Sequence, residues 1–141
     1  MKALSLWQPW ASLVAFGKKK VETRPWTTRY RGPLAIHAAL RRPHRNFGCS
    51  YAGAHILYLM AAYGIEMKTL PLGSVLCIVN LVDVRRTQDV SLELSVSERA
   101  FGNYEDDRYA WFFEDVWRFE RPIPAKGNRM LWNWDETRRL T

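Results

Sequence analysis

Hydrophobic spacing changes period twice within the first forty residues. Leu4 and Leu6 alternate with Ser5, the period of a short strand, and after Gln8-Pro9 the apolar positions Trp10, Leu13 and Val14 return at helical spacing. The pattern predicts a helix with proline in its first turn and Gly17 past its end. Residues 21–26 read as extended, because Pro25 disfavours the helical region at Arg24, and Arg31-Gly32-Pro33 turns the chain into an apolar strand over 34–39. A basic loop over 40–50 leads to an apolar helix over 54–63 that stops at Gly64. Residues 73–84, GSVLCIVNLVDV, are so continuously apolar and β-branched that they predict a central strand buried along most of its length. Tyr109, Trp111, Phe113, Asp115, Trp117 and Phe119 alternate with their neighbours, which predicts a bent strand or a strand pair. Pro122-Ile123-Pro124 and Lys126-Gly127-Asn128 then form an irregular return to a last apolar piece over 130–134, whereas 85–102 is polar and carries no clear period.

Several strands at short spacing with two helices inserted predict an α+β fold, a small mixed-topology β-barrel with flanking helices. The 141 residues suit one domain, 1–141, with a real core and no repeat or linker. Charge sharpens this picture: 21 Lys+Arg against 14 Asp+Glu give a net +7 and a pI near 9.7, a balance that draws phosphate-rich partners at long range. Cys49 and Cys77 stand in no CxxC or Cys/His spacing, and Glu105-Asp106-Asp107 reads as a solvated acidic loop, so neither a metal nor a cofactor is expected. A reduced, cytoplasmic protein is the expectation, since the opening has no apolar run of signal-peptide length. No membrane partner is expected either, because residues 54–63 fall far short of the roughly 20 needed to span a bilayer.

The chemistry concentrates in residues 17–24, GKKKVETR. Lys18, Lys19 and Lys20 are candidates for a phosphate track, each contact releasing counterions. Arg24, Arg29 and Arg31 lie within eight positions beside Trp26 and Tyr30, where a guanidinium can pair bidentately with phosphate or stack on a base. Lys19 and Glu22 can form a pair. Trp10, Trp26 and Trp111 are candidates for a stacking platform; Trp26, in a Pro-Trp-Thr-Thr loop, is the one expected near a base, and Trp10 is expected in the core. His37, inside IHAA, reads as a buried, hydrogen-bonded histidine.

The block over 4–39, LSLWQPWASLVAFGKKKVETRPWTTRYRGPLAIHAA, resembles the start of the ASCH (activating-signal-cointegrator homology) domain of the PUA-like superfamily. The resemblance continues in 73–84, similar to the family's G-x-V-L-G-x-V-x-L-x-D strand, and in 122–132, PIPAKGNRMLW, similar to its P-I-x-x-K-G-x-x-x-x-W ending. It implies the same barrel, and it implies that the G-x-K-x-x-E-x-R marker, here Gly17, Lys19, Glu22 and Arg24, lies at a cleft between the first helix and the barrel, with Lys126 and Arg129 brought near it. By this resemblance the chain is a nucleic-acid-binding module for RNA or DNA, single strands favoured. The alternative is a small hydrolase, an N4-acylcytidine amidohydrolase or a ribonuclease. The amidohydrolase relatives use a lysine, matched by Lys19, and a threonine nucleophile three residues on, a position held here by Glu22, which makes Lys19 and Glu22 the catalytic candidates. Lys20 and Thr23 have that spacing if the segment is read one residue later, and a nuclease would draw on Lys19, His37 or Tyr109. A protein-interaction module docking an acidic partner on the basic face is a third class.

Overall fold

The computed structural model describes residues 1–136. The strands are β1 (Lys2–Leu6), β2 (Val21–Arg24), β3 (Gly32–Ala38), β4 (Ser74–Arg86), β5 (Tyr109–Pro124) and β6 (Leu131–Asn133); the helices are α1 (Trp10–Ala15), α2 (Tyr51–Ala62), α3 (Thr87–Val90) and α4 (Val96–Ala100). The strands form one six-stranded sheet in the order β2-β5-β4-β3-β1-β6. Only β1 and β3 run parallel, joined by a crossover that carries α1 and β2, and every other neighbouring pair is antiparallel. The long β4–β5 ladder slips register between Val75 and Cys77, Ile78 and Asn80, and Leu81 and Asp83. Such irregularities bend and twist a ribbon, and here they curl the sheet into a half-barrel. The curl brings edge strand β2 back towards β1, where Arg24 Nη2 donates to the Ser5 carbonyl at 2.8 Å.

Leu4, Leu6, Leu34, Ile36, Val79, Leu81, Trp111 and Phe113 fill the inside of the curl with the buried face of α1. A second cluster, Leu13, Ile56, Met60, Ile65, Leu70 and Phe101, mounts α2 on the outside of α1. The start of α1 is fastened by Gln8, whose buried side chain accepts from Ser12 N at 3.0 Å and donates to Ser12 Oγ and the Pro71 carbonyl, both at 2.8 Å.

Two expectations from the sequence change. The segment 122–124 is no irregular return: β5 runs through both prolines and pairs Pro124 with Ser74. Helix α2 begins three residues earlier than its apolar run, because Ser50 caps it by accepting from Gly53 N at 3.0 Å. A Cβ at Gly53 would stand 1.7 Å from the Phe47 carbonyl oxygen, so only glycine permits this close approach. The polar stretch 85–102 holds the end of β4 and the short helices α3 and α4, the latter capped by Ser95 Oγ accepting from Glu98 N at 3.1 Å. Among the described residues no helix is long and apolar enough to cross a membrane.

Candidate functional site

Two residues before strand β2 stands a lysine whose side chain turns inward. From Lys18 to Arg24 burial alternates, with Lys19, Val21 and Thr23 buried and the residues between them more open. Lys19 has no exposed surface. Its ammonium donates to the carbonyls of Val21 at 2.6 Å and Phe101 at 2.7 Å, lies 3.4 Å from Glu22 Oε1, and stands 5.8 Å from the Trp10 ring centre. Glu22 Oε2 in turn lies 3.2 Å from Arg24 Nη2, the same nitrogen that reaches Ser5. One carboxylate is therefore held between two cations, one of them wholly removed from water.

The carboxylate at the centre of this chain, Glu22, lines a cleft of about 500 Å³ between β2 and the helical layer. Trp7, Trp10, Phe47 and Phe101 supply aromatic surface, Gly53 and Ile56 of α2 close one side, and Glu22, Thr23, Asn103 and Arg108 supply polar groups. A side chamber of about 180 Å³ shares Trp7, Trp10, Glu22, Thr23 and Arg108 and extends to Arg24 and Pro25. Arg108 is fixed by donating from Nη2 to the Thr23 carbonyl at 3.2 Å and from Nε to the Asn103 carbonyl at 3.2 Å. Trp7 is 55% exposed, and the guanidinium of Arg41 stacks 4.0 Å from its ring centre.

Behind the cleft wall, Glu98 accepts from the Lys20 backbone N–H, while its other carboxylate oxygen and the Tyr104 hydroxyl are buried without a hydrogen-bond partner among the described residues. Burial pushes the Glu98 carboxyl above its usual range, opposed by that N–H and by Lys19. Burial also raises the Tyr104 phenol, aided by the charges of Glu98 and Glu22.

A second hollow, about 420 Å³, opens beside β1 and is lined by Ser5, His37, Leu40, Lys126, Gly127 and Arg129. Here Trp132 Nε1 donates to Ser5 Oγ at 3.1 Å, Ser5 Oγ and His37 Nδ1 stand 3.0 Å apart, and His37 Nε2 lies 2.7 Å from the Ala125 carbonyl. A carbonyl only accepts, so the proton sits on Nε2 and Nδ1 accepts from Ser5. Burial holds the His37 imidazole below its usual value, with the Ala125 contact opposing. An unfolded His37 protonates near 6.5, so the unfolded state binds the proton first as pH falls. The stabilisation by His37 is thus complete above pH 6.5 and lost as pH drops from there through the lowered folded value. Urea midpoints measured between pH 7.5 and about 5 are expected to fall more steeply for the wild type than for His37→Gln.

The structure sorts the candidates from the sequence. Lys19, Glu22 and Arg24 come together. Lys126 and Arg129, expected beside the main cleft, line the second hollow instead, which shares no lining residue with that cleft; its Ser5 lies two positions before Trp7. Lys18 and Lys20 stay exposed, Lys18 with its ammonium 4.7 Å over the Tyr63 ring. Lys19 leaves the phosphate track, because a fully buried ammonium cannot meet a phosphate. Arg31 is tied to the carbonyls of Thr28 and Tyr30 and faces Asp83 at 3.9 Å. It and Arg29 precede β3, at the end of the sheet opposite Trp7, since parallel β1 and β3 pair Leu6 with Ala38. Trp111 is no platform: it is fully buried, and Trp26 packs edge-on against it at 4.8 Å. Trp10, expected in the core, packs against the second cluster and also lines the cleft. Trp7 and Arg108 were not singled out from the sequence; the in-phase burial of Lys19 with Val21 and Thr23 is the signal that marks the inward face of β2.

Comparison with known proteins agrees with this fold. The family model described as the ASCH domain matches residues 4–123. Activating signal cointegrator 1 of Mus musculus and that of Homo sapiens are each 28% identical over 134 residues, covering 94% of this chain. The chain spans 22% of the length of these two relatives. Among solved structures, the ASCH protein from Zymomonas mobilis superposes with a TM-score of 0.58 at 16% identity, covering 96% of this chain and 88% of that one. A point-mutant structure of it gives 0.57, also at 16% identity, with 96% and 90% covered.

Proposed function

The chain belongs to the ASCH domain family, and on that premise we propose that it is a nucleic-acid-binding module that admits one unstacked base of a single strand, RNA or DNA, into the Trp7–Trp10 cleft. The observation that carries this reading is an ion-paired carboxylate, Glu22, set inside an aromatic-walled cavity that also holds Arg108 and has Arg41 stacked on its Trp7 wall. Flat aromatic surface takes the face of any base, and polar groups at the end of the slot meet its edge. The backbone of the strand then runs along the end of β1, past exposed Arg41, Arg42 and Arg45 of the loop after β3, to Lys126 and Arg129. Lys18, Lys20, Arg29 and Arg31 contribute to the surrounding field more than to direct contacts. An amidohydrolase reading needs an amine with a free lone pair, whereas the Lys19 ammonium donates to two carbonyls and faces a carboxylate.

Fluorescence anisotropy with a labelled single-stranded oligonucleotide, titrated across a salt series, tests the proposal. Five or six phosphate contacts, at about 0.7 each for single strands, predict an affinity that falls by roughly 3.5–4.2 decades per decade of salt. An affinity that is flat across the series, or no binding at low salt, overturns it.

A further inference from the structure

Glu22 is gripped without being used up. Its contacts to Lys19 and Arg24, at 3.4 and 3.2 Å, are ion pairs longer than the roughly 2.7–2.9 Å of a charge-assisted hydrogen bond. Two of the three Lys19 N–H groups are spent on the Val21 and Phe101 carbonyls, and the Arg24 Nη2 is shared with Ser5. Both carboxylate oxygens therefore keep lone pairs for a ligand, while the two cations fix the charge and the position of the group. With 13% of its side chain exposed, Glu22 lines both the main cleft and the side chamber.

A rigid carboxylate at the end of an aromatic slot offers two adjacent acceptors and no donor. The ligand edge that complements it carries two adjacent N–H donors. Guanine has that edge, in N1–H and the 2-amino group. Adenine and cytosine present one donor beside an acceptor lone pair, and uracil presents one N–H between two carbonyls, so each of these sets a lone pair against the carboxylate. That mismatch is repulsive and discriminates more strongly than the absence of a contact. Arg108, with Nε and Nη2 committed to Asn103 and Thr23, retains Nη1 for a carbonyl such as guanine O6. We infer that the cleft selects guanine, with Glu22 as the residue that reads it. This rests on the nucleic-acid-binding reading above and adds base selection to it.

The test uses a uridine hexamer and variants carrying one central guanosine, inosine or adenosine, titrated against the whole chain at one low salt concentration. The guanosine oligomer is expected to bind tightest. Inosine, which lacks the 2-amino donor, is expected to be weaker by about 10-fold, and adenosine by about 100-fold. Glu22→Gln exchanges one acceptor for a donor, so the preference for guanosine should collapse and adenosine should bind at least as well. Circular dichroism establishes whether that variant folds; if it does not, the guanosine–inosine comparison in the wild type still decides. Equal binding of all four oligomers, or inosine equal to guanosine, overturns base selection and leaves the binding module standing. No binding of any oligomer overturns both.

Discussion

Lys19→Met is expected to cost about 3–5 kcal/mol of unfolding free energy, a large part of the roughly 5–15 kcal/mol that holds a domain of this kind together. The methionine fills much of the same volume, so the loss is electrostatic. The Val21 and Phe101 carbonyls each lose a buried donor, and Glu22 keeps Arg24 as its one cation. An exposed lysine in the same run has no such debt of partners: Lys20→Met should stay within about 0.5 kcal/mol of wild type, since surface substitutions away from special features do. Urea unfolding of both variants, with an unchanged m-value to establish that stability alone has moved, gives the comparison. Equal, small losses for the two would mean that Lys19 is not caged.

Trp111→Ala should destabilise by about 3–5 kcal/mol, or prevent folding at 37 °C, because the indole is wholly enclosed at the centre of the main cluster. Trp7→Ala is the matching opposite. Its ring is half in solvent, so thermal stability should hardly change, while single-strand affinity should fall by about 1–3 kcal/mol. Thermal melts and anisotropy titrations on the two proteins separate the effects. Affinity that survives Trp7→Ala would move the base away from this cleft.

The strands were legible in the sequence wherever one physical rule acted alone. Alternation marked β1 and most of β5, and the unbroken apolar run marked β4, since a strand covered on both faces has no reason to alternate. The proline pair at 122 and 124 read as an interruption because proline removes a ladder donor, yet β5 tolerates both at its far end. Helix α4 was hidden by its length: five residues give no period, and only the Ser95-to-Glu98 cap spacing announces it. The site was half legible. The segment GKKKVETR pointed to the cleft, but three identical lysines give no hint of which one is buried until the strand phase is extended backwards from Val21 and Thr23. Trp10 and Trp26 were assigned by their local surroundings, a helix face and a loop, whereas their positions are set by long-range packing against α2 and Trp111. Arg108 carried no sequence signal at all, because it reaches Thr23 across 85 positions.

Arg24 ties the free edge of the curled sheet to its far side through one hydrogen bond to Ser5, and the same guanidinium neutralises Glu22. A ligand that reads the carboxylate therefore needs this fastener closed, because Arg24 holds Glu22 in place only while the seam is shut. Occupancy of the cleft and local opening of the β1–β2 seam are linked equilibria, each shifting the other by the same free energy. Amide exchange in β2 would then slow when a ligand arrives, so the seam itself serves as a built-in reporter of binding.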